Sequence, residues 1–69
     1  MLPRNLKKLR LELGLTQGYC AEQMHLSRQT ILNIEKGKVT RDATLYYYEL
    51  YLKRKRDDVQ RELARAVLV

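Results

Sequence analysis

The chain has 69 residues, with 14 Lys and Arg against 8 Asp and Glu, a formal net charge of +6 at pH 7 and an isoelectric point near 9.8. So short a chain holds one small core, helped by burial against a partner or a second copy, and its 45% hydrophobic and 32% charged residues mark it as folded rather than disordered. One cysteine, Cys20, excludes a disulfide-stapled miniprotein, and no stretch approaches the roughly 18 apolar residues of a membrane span. The N-terminus, MLPRNLKKLR, lacks the apolar run of a signal peptide, so a cytoplasmic location is expected. The basic excess favours a polyanionic partner, nucleic acid or an anionic membrane surface.

Strand signals are weak: ten residues are Ile, Val or Thr, and alternation never persists. Helical spacing is clear. Leu2, Leu6, Leu9 and Leu13 recur at steps of four, three and four, with Pro3 suited to a first turn and Gly14 to a stop. A first helix is expected over about 3–13. Thr16 is an N-cap for a short helix to about Met24, with Cys20, Ala21 and Met24 on its inner face. Ser27 is the next N-cap, opening a helix with Ile31 and Ile34 that Gly37 closes. Two short capped helices with a few residues between them outline a helix-turn-helix. After the polar connection KVTRD, residues 43–69 contain neither Gly nor Pro. They read as helix in two pieces, Asp57 and Gln60 resembling a capping box that restarts it.

Residues 16–37, TQGYCAEQMHLSRQTILNIEKG, resemble the phage-repressor/Cro-type helix-turn-helix family. The matching positions are Thr16, Gln17, Ala21, Leu26, Ser27, Ile31, Ile34, Glu35 and Gly37. The resemblance covers roughly residues 4–52. It implies an all-α fold, a compact bundle of four to five short helices, with 1–52 as DNA-binding domain and 53–69 as a basic, apolar C-terminal helix suited to dimerisation. It also implies an ion pair between Arg10 and Glu35 and a phosphate contact by Gln17, for which an exposed first-turn polar residue is the plainer reading. The sequence departs from the pattern at three points. His25 stands where the family usually has Gly, Gly18 weakens the second helix, and the usual Pro after the third helix is missing.

The residues themselves agree with the resemblance. Ala21 is small where two helices cross closely. With Leu26, Ile31 and Ile34 inward, Arg28, Gln29, Leu32 and Asn33 fall on the outer side of the third helix. Arg bonds guanine bidentately, Gln and Asn bond adenine, and Leu32 can meet a thymine methyl. Ser27 and Thr30 are caps or lesser phosphate donors, and Lys36, Lys38 and Arg41 are placed to hold the flanking backbone. The run Lys53–Arg56 reads as a solvated, dipole-complementing helix end.

Three consecutive tyrosines, Tyr46–Tyr48, cannot all face one core at 100° per residue. One or two complete the core; Tyr47 and Tyr51 are candidates for a dimer face. Val59, Leu63, Ala66 and Val67 form an apolar stripe, followed by Leu68 and Val69, which must pack on the domain or on a second copy. One His and one Cys form no metal cluster, no Gly-rich phosphate loop exists, and Cys20 reads as a small core residue, so neither enzyme nor cofactor is expected. The expected function is sequence-specific binding of double-stranded DNA by a bacterial or phage regulator, a repressor acting as a homodimer on a palindromic operator. The alternative is a protein-interaction module of antitoxin or antirepressor type, binding a protein partner through the same face, the tyrosines or the tail.

Overall fold

A computed structural model describes residues 2–38 and 41–68, so Val39 and Thr40 of the connection, and Val69, lie outside the described residues. Four helices follow one another: α1 (Pro3–Glu12), α2 (Gln17–Met24), α3 (Arg28–Glu35) and α4 (Asp42–Leu68). The described residues contain no strand. α2 packs against α3, and α1 bridges α3 and α4.

Local chemistry sets the boundaries. Pro3 starts α1 in its first turn. The hydroxyl of Thr16 accepts from the N–H of Tyr19 at 3.0 Å, and that of Ser27 from the N–H of Thr30 at 3.1 Å, so α2 and α3 begin where N-caps were read. The first three helices share one ending. After each, a residue with positive φ (Gly14 at 71°, His25 at 57°, Gly37 at 75°) turns the chain back. The next N–H then bonds five residues upstream: Leu15 to the Arg10 carbonyl, Leu26 to Ala21 and Lys38 to Asn33, at 3.1, 2.9 and 2.9 Å. This 6→1 bond is the Schellman closure.

His25 adopts the left-handed geometry with a Cβ, which costs about 1 kcal/mol or more relative to glycine. His25→Gly is therefore expected to stabilise the fold by about 0.5 kcal/mol, after the added entropy of the unfolded chain is subtracted. Thermal unfolding checks this through a rise in Tm of a few degrees.

The core is Leu6 and Leu9 of α1, Cys20, Ala21 and Met24 of α2, Ile31 and Ile34 of α3, and Tyr48 and Leu52 of α4. Each large side chain so buried contributes about 1.5–3 kcal/mol. Leu13, Leu15, Leu26, Leu45 and Tyr51 pack around this centre. Of the consecutive tyrosines Tyr48 enters, one turn before Leu52, while Tyr46 and Tyr47 are exposed. Tyr51 is half-buried and packs against the core, with its hydroxyl buried and unpartnered.

Two expectations need correction. Residues 42–68 form one helix of 27 residues, neither short nor in two pieces. Asp57 and Gln60 restart nothing, since no Gly or Pro interrupts the chain and Glu49 pairs with Lys53 one turn on at 3.5 Å. Lys53–Arg56 therefore lies mid-helix rather than at an end. The ammonium of Lys55 sits 5.9 Å from the Tyr19 ring centre and 5.8 Å from that of Tyr51, joining α4 to α2. A continuous α4 gives the molecule its 44 × 21 × 18 Å outline, and the helix runs unbroken across the 52/53 boundary read from sequence.

Candidate nucleic-acid interface

The position of α3 is fixed by a single carboxylate. Glu35 ends α3 and is 7% exposed. Arg10 of α1 donates from Nε to Oε2 at 2.7 Å and from Nη2 to Oε1 at 3.0 Å, a fork on both oxygens. Gln17 of α2 donates from Nε2 to Oε1 at 3.2 Å, and the Tyr48 hydroxyl of α4 donates to Oε2 at 2.5 Å. Each of the other three helices therefore bonds to Glu35. The remaining Arg10 nitrogen, Nη1, donates to the Leu15 carbonyl at 2.8 Å and holds the α1–α2 turn.

This network shapes the protonation behaviour. Burial pushes the Glu35 carboxyl up, but the bonds from Arg10, Tyr48 and Gln17 outweigh it and hold the group below its usual 4.5. The bond to Glu35 raises Arg10 further above its ordinary value. Burial, then the bond to Glu35, raises the Tyr48 phenol well above 10, and burial pushes Tyr51 up to about 12.

Stability is thus expected to have two edges. The folded carboxyl of Glu35 is depressed, so its contribution is present above about pH 4.5 and is lost as pH falls below that value. The two phenols are raised, so theirs is present below about pH 10 and lost as pH rises beyond it. Urea midpoints across pH 3–11 would show a plateau between these edges. Removing the acid edge should take Glu35, and Tyr48→Phe should soften the alkaline one.

On this scaffold α3 presents its outer side. Arg28 and Gln29 are exposed in its first turn, while Leu32 and Asn33 are half-buried one turn on. Gln29 donates from Nε2 to Asn33 Oδ1 at 3.0 Å, so two of the four predicted base-reading side chains hold each other. Ser27 and Thr30 share a bond between their hydroxyls at 2.8 Å. An open cleft at the N-terminal end of α3 is lined by Lys7, Thr16, Gln17, Gly18 and Arg28. It brings Gln17 and Arg28 together at the start of α2, where backbone N–H groups lack helical partners. A Cβ on Gly18 would meet nothing within 4 Å, so this surface is open rather than packed. At the other end, Arg4 and Lys36 line a second cleft beside Glu35. Lys36, Lys38 and Arg41 are all exposed.

Three features escaped the sequence reading. Gln17 bonds to Glu35, Tyr48 does the same from α4, and Lys7 joins the first cleft. Lys7 lies one turn before Arg10 on α1, a spacing that places it near the pair and could have flagged it.

The model of the family described as helix-turn-helix matches residues 6–59. The chain belongs to the phage-repressor/Cro-type helix-turn-helix family. This is a family of DNA-binding regulators, and the match extends past Leu52 into the outer part of α4. No curated protein and no solved structure matches the chain. Among the described residues of this helix-turn-helix protein, no helix is long and apolar enough to cross a membrane.

Proposed function

We propose that this helix-turn-helix protein is a cytoplasmic transcriptional repressor that occupies a palindromic operator in double-stranded DNA as a homodimer. The reading is carried by the first turn of α3, where Arg28 and Gln29 stand exposed beside an open cleft. Arg28 and Gln29 read base edges in the major groove, with Leu32 and Asn33 following one turn on. Gln17 meets a phosphate at the start of α2. Its Nε2 donates one hydrogen to Glu35, and the second hydrogen of the same amide nitrogen is the donor a phosphate oxygen can accept. Ser27, Thr30, Lys36, Lys38 and Arg41 hold the backbone on either side. A two-fold pair of such domains sets two α3 helices about 34 Å apart, one DNA turn.

Binding should fall steeply with salt, since each phosphate neutralised releases condensed counterions. Fluorescence anisotropy on a selected duplex and its scrambled form, from 50 to 300 mM salt, tests the proposal. A preference of at least 1000-fold for the selected sequence supports specific recognition. Equal affinity for both duplexes would leave only a basic protein sticking to a polyanion.

A further inference from the structure

The cleft at the N-terminal end of α3 holds a cation that none of the contacts described so far employs. Lys7 and Arg10 of α1 and Arg28 of α3 line it, and among the described residues no carboxylate does. Arg10 is committed elsewhere: Nε and Nη2 bond to Glu35, and Nη1 to the Leu15 carbonyl. Lys7 and Arg28 form no ion pair among the described residues. Burial of Leu6 and Leu9 fixes the rotation of α1 and so the side on which Lys7 emerges. At 100° per residue Lys7 lies within about 40° of Leu11 and Gly14, which line the same cleft. From α2, Gln17 gives one amide hydrogen to Glu35 and keeps the other.

We infer that α1 is a DNA-contacting helix beside α2 and α3, the Lys7 ammonium and the uncommitted amide hydrogen of Gln17 together holding one backbone phosphate in this cleft. This rests on the reading above for the polyanion but not for base recognition, so the two can fail separately. The donors suit a phosphodiester. An unpaired ammonium in an opening without carboxylates draws an anion, and a phosphodiester offers two unbridged oxygens, one for the ammonium and one for the amide. Arg28 lines the same cleft, so a phosphate seated there lies beside the groove into which Arg28 reaches.

Lys8 supplies the contrast. It is exposed and carries the same charge on the same helix, but it is turned 100° from Lys7 and does not line the cleft. A diffuse attraction between a basic protein and a polyanion would draw on both lysines alike, whereas a seated phosphate draws on Lys7 alone.

Fluorescence anisotropy of the full chain on a duplex of about 20 base pairs and arbitrary sequence, from about 50 to 300 mM salt, tests the contact apart from base recognition. Both lysines are exposed, and circular dichroism checks that the helices persist. Lys7→Ala should lower the slope of log K against log salt by about one and weaken binding about fivefold at roughly 150 mM salt. Lys8→Ala should leave the slope unchanged. Lys7→Ala combined with Gln17→Ala should cost less than the sum of the two, because both donors meet one phosphate. Inorganic phosphate, added at constant ionic strength, should not displace the duplex. Equal slopes for Lys7→Ala and Lys8→Ala would mean a diffuse field and overturn the inference. Displacement of the duplex by inorganic phosphate from the parent but not from Lys7→Ala would mean a site for the free anion, and would overturn it too. A slope loss confined to Lys7→Ala supports the contact even in a protein that prefers no sequence.

Discussion

Glu35→Ala is expected to remove a large part of the domain's stability. The substitution strips Arg10 of its partner while that residue, only 6% exposed, stays buried between α3 and the α1–α2 turn. Breaking a buried pair from one side costs about 3–5 kcal/mol. A chain this size has on the order of 3–10 kcal/mol in total. Gln17 and Tyr48 lose their acceptor in the same step. Glu35→Gln should cost nearly as much, since an amide restores the shape without the charge that Arg10 requires. The informative control is Arg10→Met combined with Glu35→Leu. Replacing both charges with apolar groups of similar volume should recover most of the loss. Tyr48→Phe removes one bond to a charged acceptor and should cost about 1.5–3 kcal/mol. Urea denaturation of the set would rank them, and a Glu35→Ala protein as stable as the parent would dismiss the network as a stabilising element.

Arg28→Ala and Gln29→Ala carry the largest functional effect. Both residues are exposed, so stability should change by no more than about 0.5 kcal/mol. Affinity for the operator should fall by about 1–3 kcal/mol per base contact removed, roughly 5- to 150-fold. The two losses differ in kind. Arg28 acts alone, and its removal should relax preference at one base pair. Gln29 also orients Asn33 through the 3.0 Å bond between them, so Gln29→Ala should disturb two positions. Its combination with Asn33→Ala should then be less than additive. Lys38→Ala makes the contrast: a uniform weakening on every duplex, with the salt slope reduced by about one. Binding titrations on the operator and on single-base variants separate these outcomes.

The contrast between what was legible in the sequence and what was not has a physical basis. Helix ends are local chemistry. Thr16 and Ser27 read as N-caps, and Gly14 and Gly37 as left-handed closures, because each needs only its near neighbours. The left-handed turn at His25 followed from the resemblance, and the cost of a Cβ there is its own signature. The length of α4 misled the reading for the same local reason. Asp57 and Gln60 have the form of a capping box, but without a breaker before them the helix simply continues.

The tyrosine run was half legible. Spacing showed that only part of it could enter the core, and the register with Leu45 and Leu52 selects Tyr48. What stayed hidden was convergence. Arg10, Gln17 and Tyr48 lie 25, 18 and 13 residues from Glu35. Of these only Arg10 had been linked to Glu35, and that came from the resemblance rather than from spacing. Gln17 was assigned a phosphate and Tyr48 an unspecified place in the core. One carboxylate gathering all four helices becomes visible only when they are packed.

Sequence recognition by this protein depends on the outer side of α3 reading base edges. The most direct measurement is selection of bound duplexes from a random library, run in parallel with the parent protein and Arg28→Ala. The parent should recover one motif as an inverted repeat with half-sites about one turn apart, and Arg28→Ala should recover the same motif with preference lost at a single base pair in each half. Recovery of no motif by the parent, or of an unchanged one by Arg28→Ala, would contradict it.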